Sequence, residues 1–373
     1  MGEKVLKKCK VLFTIPNFNT AGSGKALLNI ATRLDKDLFE PHIACLNDEG
    51  SFFLKVKASG IPIHIFQFLC PMRKKIKGLM SCYKVSRFFK QINPNIIYSF
   101  NYAPDYSEAI SAKLSGIPWI FCKKNMNWGG KSKNGWLLRT FLAEHIILLN
   151  SEMKNRFYPK INKTTLIHRG VDLKEFSLKT NFCVGDIGIP KNNKVIMLVA
   201  NLAPVKGLEY LIDAFNIINN KIKSISLIIV GEKDNNYGRI LEDKAQKNKN
   251  IIFLGKKNNI AQILSLADIF ILPTKKNKGG EGLPVSLIEA MAASKPVLAS
   301  NVAGNKDVLE LLPEQLFLAE NVKEIVNKLS WMLSLKKNQI NQIIIDQLLI
   351  IKKDFCISIE VEKHTELFKR ICL

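Results

Sequence analysis

Glu281 and Glu289 stand eight residues apart in the run GGEGLPVSLIEAMAASKPVLASNVAG. Between them, Gly282-Leu283-Pro284-Val285-Ser286 reads as a loop turning into a helix, because proline loses nothing in a first helical turn, where its missing N–H would have no partner. Val285, Leu287, Ile288, Ala290 and Met291 supply the apolar residues of that helix, and Ser294-Lys295-Pro296 closes it before a buried strand, Pro-Val-Leu-Ala-Ser. One carboxylate then lies on the loop, and the other about two turns into the helix. The helix N-terminus between them is a ready site for an anion. Two carboxylates that can grip hydroxyls, set around a place that can grip a phosphate, suggest a sugar-nucleotide pocket.

Lys206 is a second candidate. In VANLAPVKGLEYLIDAF a strand gives way to a loop ending in Lys206-Gly207, then to a helix with Leu208, Leu211, Ile212 and Phe215 on one face. A cation above the C-terminal ends of parallel strands is well placed for phosphate. As a loop residue it is expected to be exposed, so its replacement should barely change stability. Gly22-Ser23-Gly24-Lys25 invites a P-loop reading and fails it: Asn19 stands where the first glycine belongs, and Ala26 replaces Ser/Thr. It remains a glycine-bearing turn between a strand and a helix.

These segments, in this order, resemble the retaining, nucleotide-sugar-dependent glycosyltransferases of family 4. Glu281 and Glu289 match the Glu-x7-Glu motif of that family, and Lys206 matches its loop lysine. The resemblance covers nearly the whole chain and is strongest over 195–310. It implies the GT-B architecture: α/β, two facing Rossmann-like domains with a cleft between them. It implies that Glu281 holds donor-sugar hydroxyls near the reacting carbon, that Lys206 meets the leaving diphosphate and that Glu289 holds the ribose. Asn201, Gly282, Leu283, Val285 and Lys256 join the donor side, with Gly22 and Gly24 on the loop that frames the cleft. Asp268 reads as a structural residue at the start of a strand. Two departures stand out. Asn201 and Ala203 occupy the positions where relatives carry an Arg, and the stretch KKNMNWGG after the strand PWIFC lacks their His. Lys123, Lys124, Asn125 and Asn127 fill that region, toward donor sugar or acceptor; Trp128 reads equally as a packing residue. No resident cofactor or metal is implied; the nucleotide sugar is the co-substrate.

The rest of the chain must position these groups. Seven strand-like runs lie between residues 10 and 168 and five between 195 and 300, separated by helix-length segments. Near-continuous apolar strands mean that both sheet faces are covered. The expected division is an acceptor-side Rossmann-like domain over 1–172, a donor domain over 173–350 and a helix over 351–373 that returns to the first domain. Residues 168–176 read as structural, with Arg169 where relatives usually carry Asn.

Composition limits the alternatives. At 373 residues the chain suits two domains. No apolar run approaches the ~18 residues of a membrane span, and no cleavable leader is legible, so the expected location is cytoplasmic. The eight cysteines form no C-x-x-C, and the five histidines no ligand pair; Asp35-Lys36-Asp37 reads as a solvated turn. The net charge is +23, and residues 1–170 hold 27 Lys/Arg against 10 Asp/Glu. No nucleic-acid motif accompanies this excess. Residues 71–92, PMRKKIKGLMSCYKVSRFFKQI, carry seven basic residues and no acid. With Leu79, Met80, Tyr83, Phe88 and Phe89 among them, they are expected to touch anionic membrane or to form a solvated core helix. The expected function is transfer of a hexose-type sugar from a nucleotide diphosphate to a saccharide or lipid-linked acceptor in bacterial surface polysaccharide synthesis. A catalytically weak or inactive nucleotide-binding subunit and a two-Rossmann sugar-nucleotide epimerase stay open as alternatives.

Overall fold

The computed structural model describes residues 8–19, 21–50, 52–127, 133–177, 184–276 and 282–372. Glu281, Trp128 and Cys183 therefore lie outside the described residues. The chain divides into two compact units, Met1–Arg169 with Ile357–Leu373, and Gly170–Cys356.

The first unit is built on β1 (Cys9–Ile15), β2 (Phe39–Cys45), β3 (Ile63–Ile65), β4 (Ile96–Ser99), β5 (Trp119–Lys123), β6 (His145–Leu148) and β7 (Thr164–Leu166). They form one parallel sheet in the order β3-β2-β1-β4-β5-β6-β7. Its helices are α1 (Ala21–Arg33), α2 (Phe53–Ala58), α3 (Lys75–Ile92), α4 (Ser107–Ser115), α5 (Lys133–Leu142) and α6 (Glu152–Phe157). Val11, Phe13, Ile43, Ile97 and Ile120 are fully buried, as strands covered on both faces require.

The second unit repeats the plan with β8 (Lys194–Val199), β9 (Ile225–Val230), β10 (Ile251–Gly255), β11 (Ile269–Leu272), β12 (Val297–Ser300) and β13 (Leu316–Phe317). The order is β10-β9-β8-β11-β12-β13, again all parallel. Helices α7 (Leu173–Phe176), α8 (Leu208–Lys221), α9 (Asn236–Ala245), α10 (Ile260–Ser265), α11 (Val285–Ala292), α12 (Asn305–Val308), α13 (Val322–Ser334) and α14 (Lys337–Asp354) accompany this sheet. Leu211 and Phe215 of α8 and Leu329 of α13 pack into the core that Ile196, Leu198, Leu227, Ile229 and Ile271 begin. β13 has two residues and carries no periodicity that a sequence reading could register. Asp268 accepts from the Val195 amide at 2.8 Å and from Lys194 Nζ at 2.9 Å, which pins the start of β11 to β8.

The last helix, α15 (Ile357–Cys372), belongs to the first unit. It starts at Ile357 because α14 runs on to Asp354, past the sequence-based limit of 350. Its buried residues, Ile357, Glu360, His364, Leu367 and Phe368, recur at helical spacing. Phe368 meets the rings of Phe13, Phe39 and Tyr98 at centroid distances of 6.2, 6.1 and 6.0 Å. Burying such a side chain stabilises by about 1.5–3 kcal/mol. Arg169 closes the attachment: Nη1 donates to Glu360 Oε1 at 2.7 Å, and both side chains are buried. Cys9 of β1 and Cys372 of α15 are joined as a disulfide.

His364 is held neutral. Nδ1–H donates to the Glu360 carbonyl at 2.7 Å, and Nε2 faces the Tyr98 hydroxyl at 3.2 Å. Burial pushes its pKa down to about 3. In the unfolded chain the same ring takes a proton near pH 6.5. Between those values the unfolded state binds more protons, so stability falls as pH drops. Urea titrations are expected to show the first unit losing about 2 kcal/mol from His364 alone between pH 7.5 and 5. His364→Phe should flatten that slope, and a slope unchanged in the variant would contradict the assignment.

Candidate functional site

In the second sheet the chain leaves β8 outward to β9 and β10, then returns on the other side with β11. The carboxyl ends of β8 and β11 therefore flank a topological switch point, where open α/β sheets take their ligands. The loop after β8 is tightly built. Ala203 is extended, Pro204 opens a single 3-10 turn ending at Lys206, and the Lys206 amide donates to the Ala203 carbonyl at 2.9 Å. Gly207 follows at φ +66°, a conformation that disfavours side chains, and a β-carbon there would collide with the Pro273 carbonyl after β11. Leu208, Leu211, Ile212 and Phe215 then anchor α8 in the core.

Lys206 is buried, at 8% exposure. This corrects the expectation of an exposed loop lysine: the residue ends a tight 3-10 turn, and the chain after β11 comes directly against the next residue, Gly207. The loops after β8 and β11 are joined directly, since the Lys275 amide donates to the Val205 carbonyl at 2.8 Å. Lys275 then reaches past Gly207 to pair with Glu209 in the first turn of α8, and the Tyr237 hydroxyl donates to the same carboxylate. Burial raises the Glu209 pKa, but the bonds from Lys275 and Tyr237 outweigh it and hold the carboxyl below its usual value. This Lys275–Glu209–Tyr237 lock was not legible in sequence, because its members lie 28 and 66 residues apart.

The next loop joins the same assembly. The Ser300 hydroxyl donates to the Thr274 carbonyl at 2.6 Å, and Asn305 Nδ2 donates to the Ser300 carbonyl at 2.8 Å. A β-carbon on Gly304 would come within 2.7 Å of the Gly282 carbonyl, so the β12 loop rests on the start of the Gly282–Pro284 segment. Gly282 and Leu283 are buried, whereas Val285 is 38% exposed. Two details differ from the sequence reading. Pro284 is the N-cap of α11 and not part of its first turn. The helix has only eight residues, and half-buried Glu289 is the fifth, about one turn inside instead of two. Asn201 is exposed on the β8 loop. Lys256 is exposed after β10, two strands and about 10 Å from β8 in the hydrogen-bonding direction.

The first unit has its own switch point between β1 and β4. Gly22, in the first turn of α1, has open space where a β-carbon would go; Gly24 does not, because Phe18 and Phe52 press on it. Packing thus explains Gly24. Lys124 donates to the Phe100 carbonyl at 2.8 Å and to Ser23 Oγ at 3.2 Å, tying the β4 loop to α1. Lys123 is fully buried, lies 4.6 Å from the Trp136 and Phe157 ring centroids, and donates to Asn125 Oδ1 at 2.9 Å and to the Asn127 carbonyl. Burial pushes both lysines down to about 7. Asn125 and exposed Asn127 thus hold an interior lysine. Asn101 Nδ2 is buried and has no hydrogen-bond partner among the described residues.

Two family profiles match this chain. Residues 20–175 fit Glycosyltransferase Family 4, and residues 184–345 fit Glycosyl transferases group 1. The chain is a glycosyltransferase of family 4. Among its relatives is an Escherichia coli UDP-Gal:alpha-D-GlcNAc-diphosphoundecaprenol alpha-1,3-galactosyltransferase, 28% identical over 255 residues. That match takes in 62% of this chain and 63% of the relative. Two solved structures share the fold: a Rickettsia africae glycosyltransferase, with a TM-score of 0.83 at 16% identity covering 98% of this chain and 99% of that one, and an Anabaena protein in complex with UDP and glucose, with a TM-score of 0.80 at 19% identity covering 97% and 100%. The glycosyltransferase is thus α/β with two Rossmann-like sheets of the GT-B fold.

Proposed function

We propose that this glycosyltransferase moves a hexose-type sugar from a nucleoside diphosphate to a lipid-linked saccharide, with retention at the transferred carbon, at the inner face of the cytoplasmic membrane. The observation that carries the reading is Lys206, held at the switch point by loops locked to one another, where a departing diphosphate would need charge. The acceptor class is supported by the E. coli relative named for a diphosphoundecaprenol substrate, and the donor class by the Anabaena neighbour holding UDP and glucose.

In this reading the glycosidic bond to the diphosphate breaks while the acceptor hydroxyl attacks from the same face and its proton passes to the departing phosphate oxygen. Lys206 and the N-terminus of α11 meet the charge that grows on the leaving oxygen. No divalent cation is assigned to that role, so turnover should persist in EDTA. Glu289 takes the ribose hydroxyls and Glu281 the hydroxyls of the donor sugar. An inactive nucleotide-binding subunit is the second reading, favoured by Asn201 and Ala203 standing where relatives carry Arg.

Release of nucleoside diphosphate from a panel of nucleotide sugars, with and without lipid-linked acceptors, decides between them. Nucleotide binding without release under any pairing supports the inactive subunit and rejects transfer. Glu289→Gln should raise KM for the donor with kcat nearly unchanged, because a group that holds the ribose acts equally on ground and transition states. Glu281→Gln should lower kcat. Equal effects on both constants in both variants would reject this division of roles.

A further inference from the structure

The strongest unassigned feature lies on α3, outside the site just described. The inward face of this helix is Gly78, Cys82, Val85, Ser86, Phe89 and Ile92, all buried. Phe88 is half-buried and stacked on Phe66, with ring centroids 3.6 Å apart. Phe88 and Phe89 therefore belong to the fold and not to a membrane-facing surface, a correction to the sequence reading. What faces out is a different set. Ile76 is 78% exposed, Leu79 49%, Met80 61% and Tyr83 60%. They stand at i, i+3, i+4 and i+7, so they form one stripe two turns long. Scattered exposed apolar residues are ordinary; four on one face of one helix are not.

The stripe is ringed by charge of one sign. Arg73, Lys74 and Lys75 lie at its N-terminal end, Lys77 and Lys84 along one side, and Arg87 and Lys90 continue the face; all seven are exposed. No acidic residue interrupts them between 71 and 92. We infer that the outer face of α3 lies in the interface of an anionic lipid membrane, with Ile76, Leu79, Met80 and Tyr83 among the acyl chains and the lysines and arginines at the headgroups. An apolar stripe flanked by cations is complementary to such a surface at both levels. A second copy of the chain is a poor occupant, because seven positive charges would face seven. Among the described residues no helix is long and apolar enough to cross a membrane, so contact through this helix would be peripheral.

The inference stands apart from the transfer reaction, and the test keeps the two separate. The intact protein is floated with vesicles of phosphatidylcholine alone, or with one quarter phosphatidylglycerol, at low and high salt. Wild type should bind the anionic vesicles at low salt and largely ignore the neutral ones. Lys74→Glu, Lys75→Glu and Lys77→Glu together should weaken partitioning by about a hundredfold or more, since each basic residue near such a surface contributes severalfold. Ile76→Ser with Met80→Ser keeps every charge and should still cost about tenfold. Both variants should keep wild-type nucleotide binding and helical content. Wild type that ignores anionic vesicles at low salt would overturn the inference. So would an Ile76/Met80 variant that binds like wild type, or a concentration-dependent dimer that this variant abolishes.

Discussion

Lys206→Met is expected to lower kcat by about a hundredfold while leaving the fold intact. A preorganised charge at a leaving group contributes on the order of 3 kcal/mol, because it is desolvated and already in place when charge develops. Methionine is the informative replacement. Lys206 is buried, so its aliphatic stem is part of the packed interior, and alanine would mix lost charge with lost contact. Lys206→Ala should therefore add a stability loss of roughly 1 kcal/mol, within the ordinary range for a buried truncation. Steady-state kinetics and urea titration on both variants separate the two effects. Near-normal kcat in Lys206→Met would remove the lysine from the chemistry and leave it a packing residue.

The second large effect is one of stability. Glu360→Ala should destabilise the first unit by about 3–5 kcal/mol, because it leaves the Arg169 guanidinium buried without its carboxylate. At roughly 2–4 °C per kcal/mol for a unit of this size, the melting temperature should fall by about 10 °C. The loss measures an orphaned charge and not the worth of the pair. Arg169→Met with Glu360→Leu should accordingly recover most of it, since an apolar pair of similar volume avoids the desolvation cost. Calorimetry on the three proteins tests this. A double variant as unstable as Glu360→Ala would mean that the bond itself, and not burial of charge, holds α15 in place.

The fold was legible because continuous apolar strands and amphipathic helices write themselves into local spacing; Leu211 and Phe215 of α8 mark their buried face without reference to any partner. Lys206-Gly207 was legible for the same reason, as a turn between two such elements. What escaped was set by contacts distant in sequence. The Arg169–Glu360 pair joins residues 191 apart, and Lys275 and Glu209 meet across two loops. Arg139 is one of the 27 Lys/Arg of residues 1–170, yet it is fully buried among Trp119, Phe121 and Trp136, with burial pushing its pKa down to about 10. On α3, composition located the basic face correctly, but only packing separates Phe89, which is buried, from Ile76, which is not. Glu289 was placed a turn too deep because eight residues of helix leave no internal signal of where the first one lies.

The first unit is assembled from two separate stretches, Met1–Arg169 and Ile357–Leu373, whereas Gly170–Cys356 is uninterrupted. On the ribosome these two situations differ. The continuous unit has every residue of its core once position 356 has emerged, and it can condense while the chain is still being made. The discontinuous one emerges earlier yet finishes later: Phe13, Phe39 and Tyr98 stay uncovered until Phe368 arrives, with the whole of the other unit translated in between. A stop codon shortly after residue 356 would thus spare the unit made last and expose the apolar side of the one made first. The products of such truncation are expected to aggregate through β1, β2 and β4, hundreds of residues upstream of the lesion.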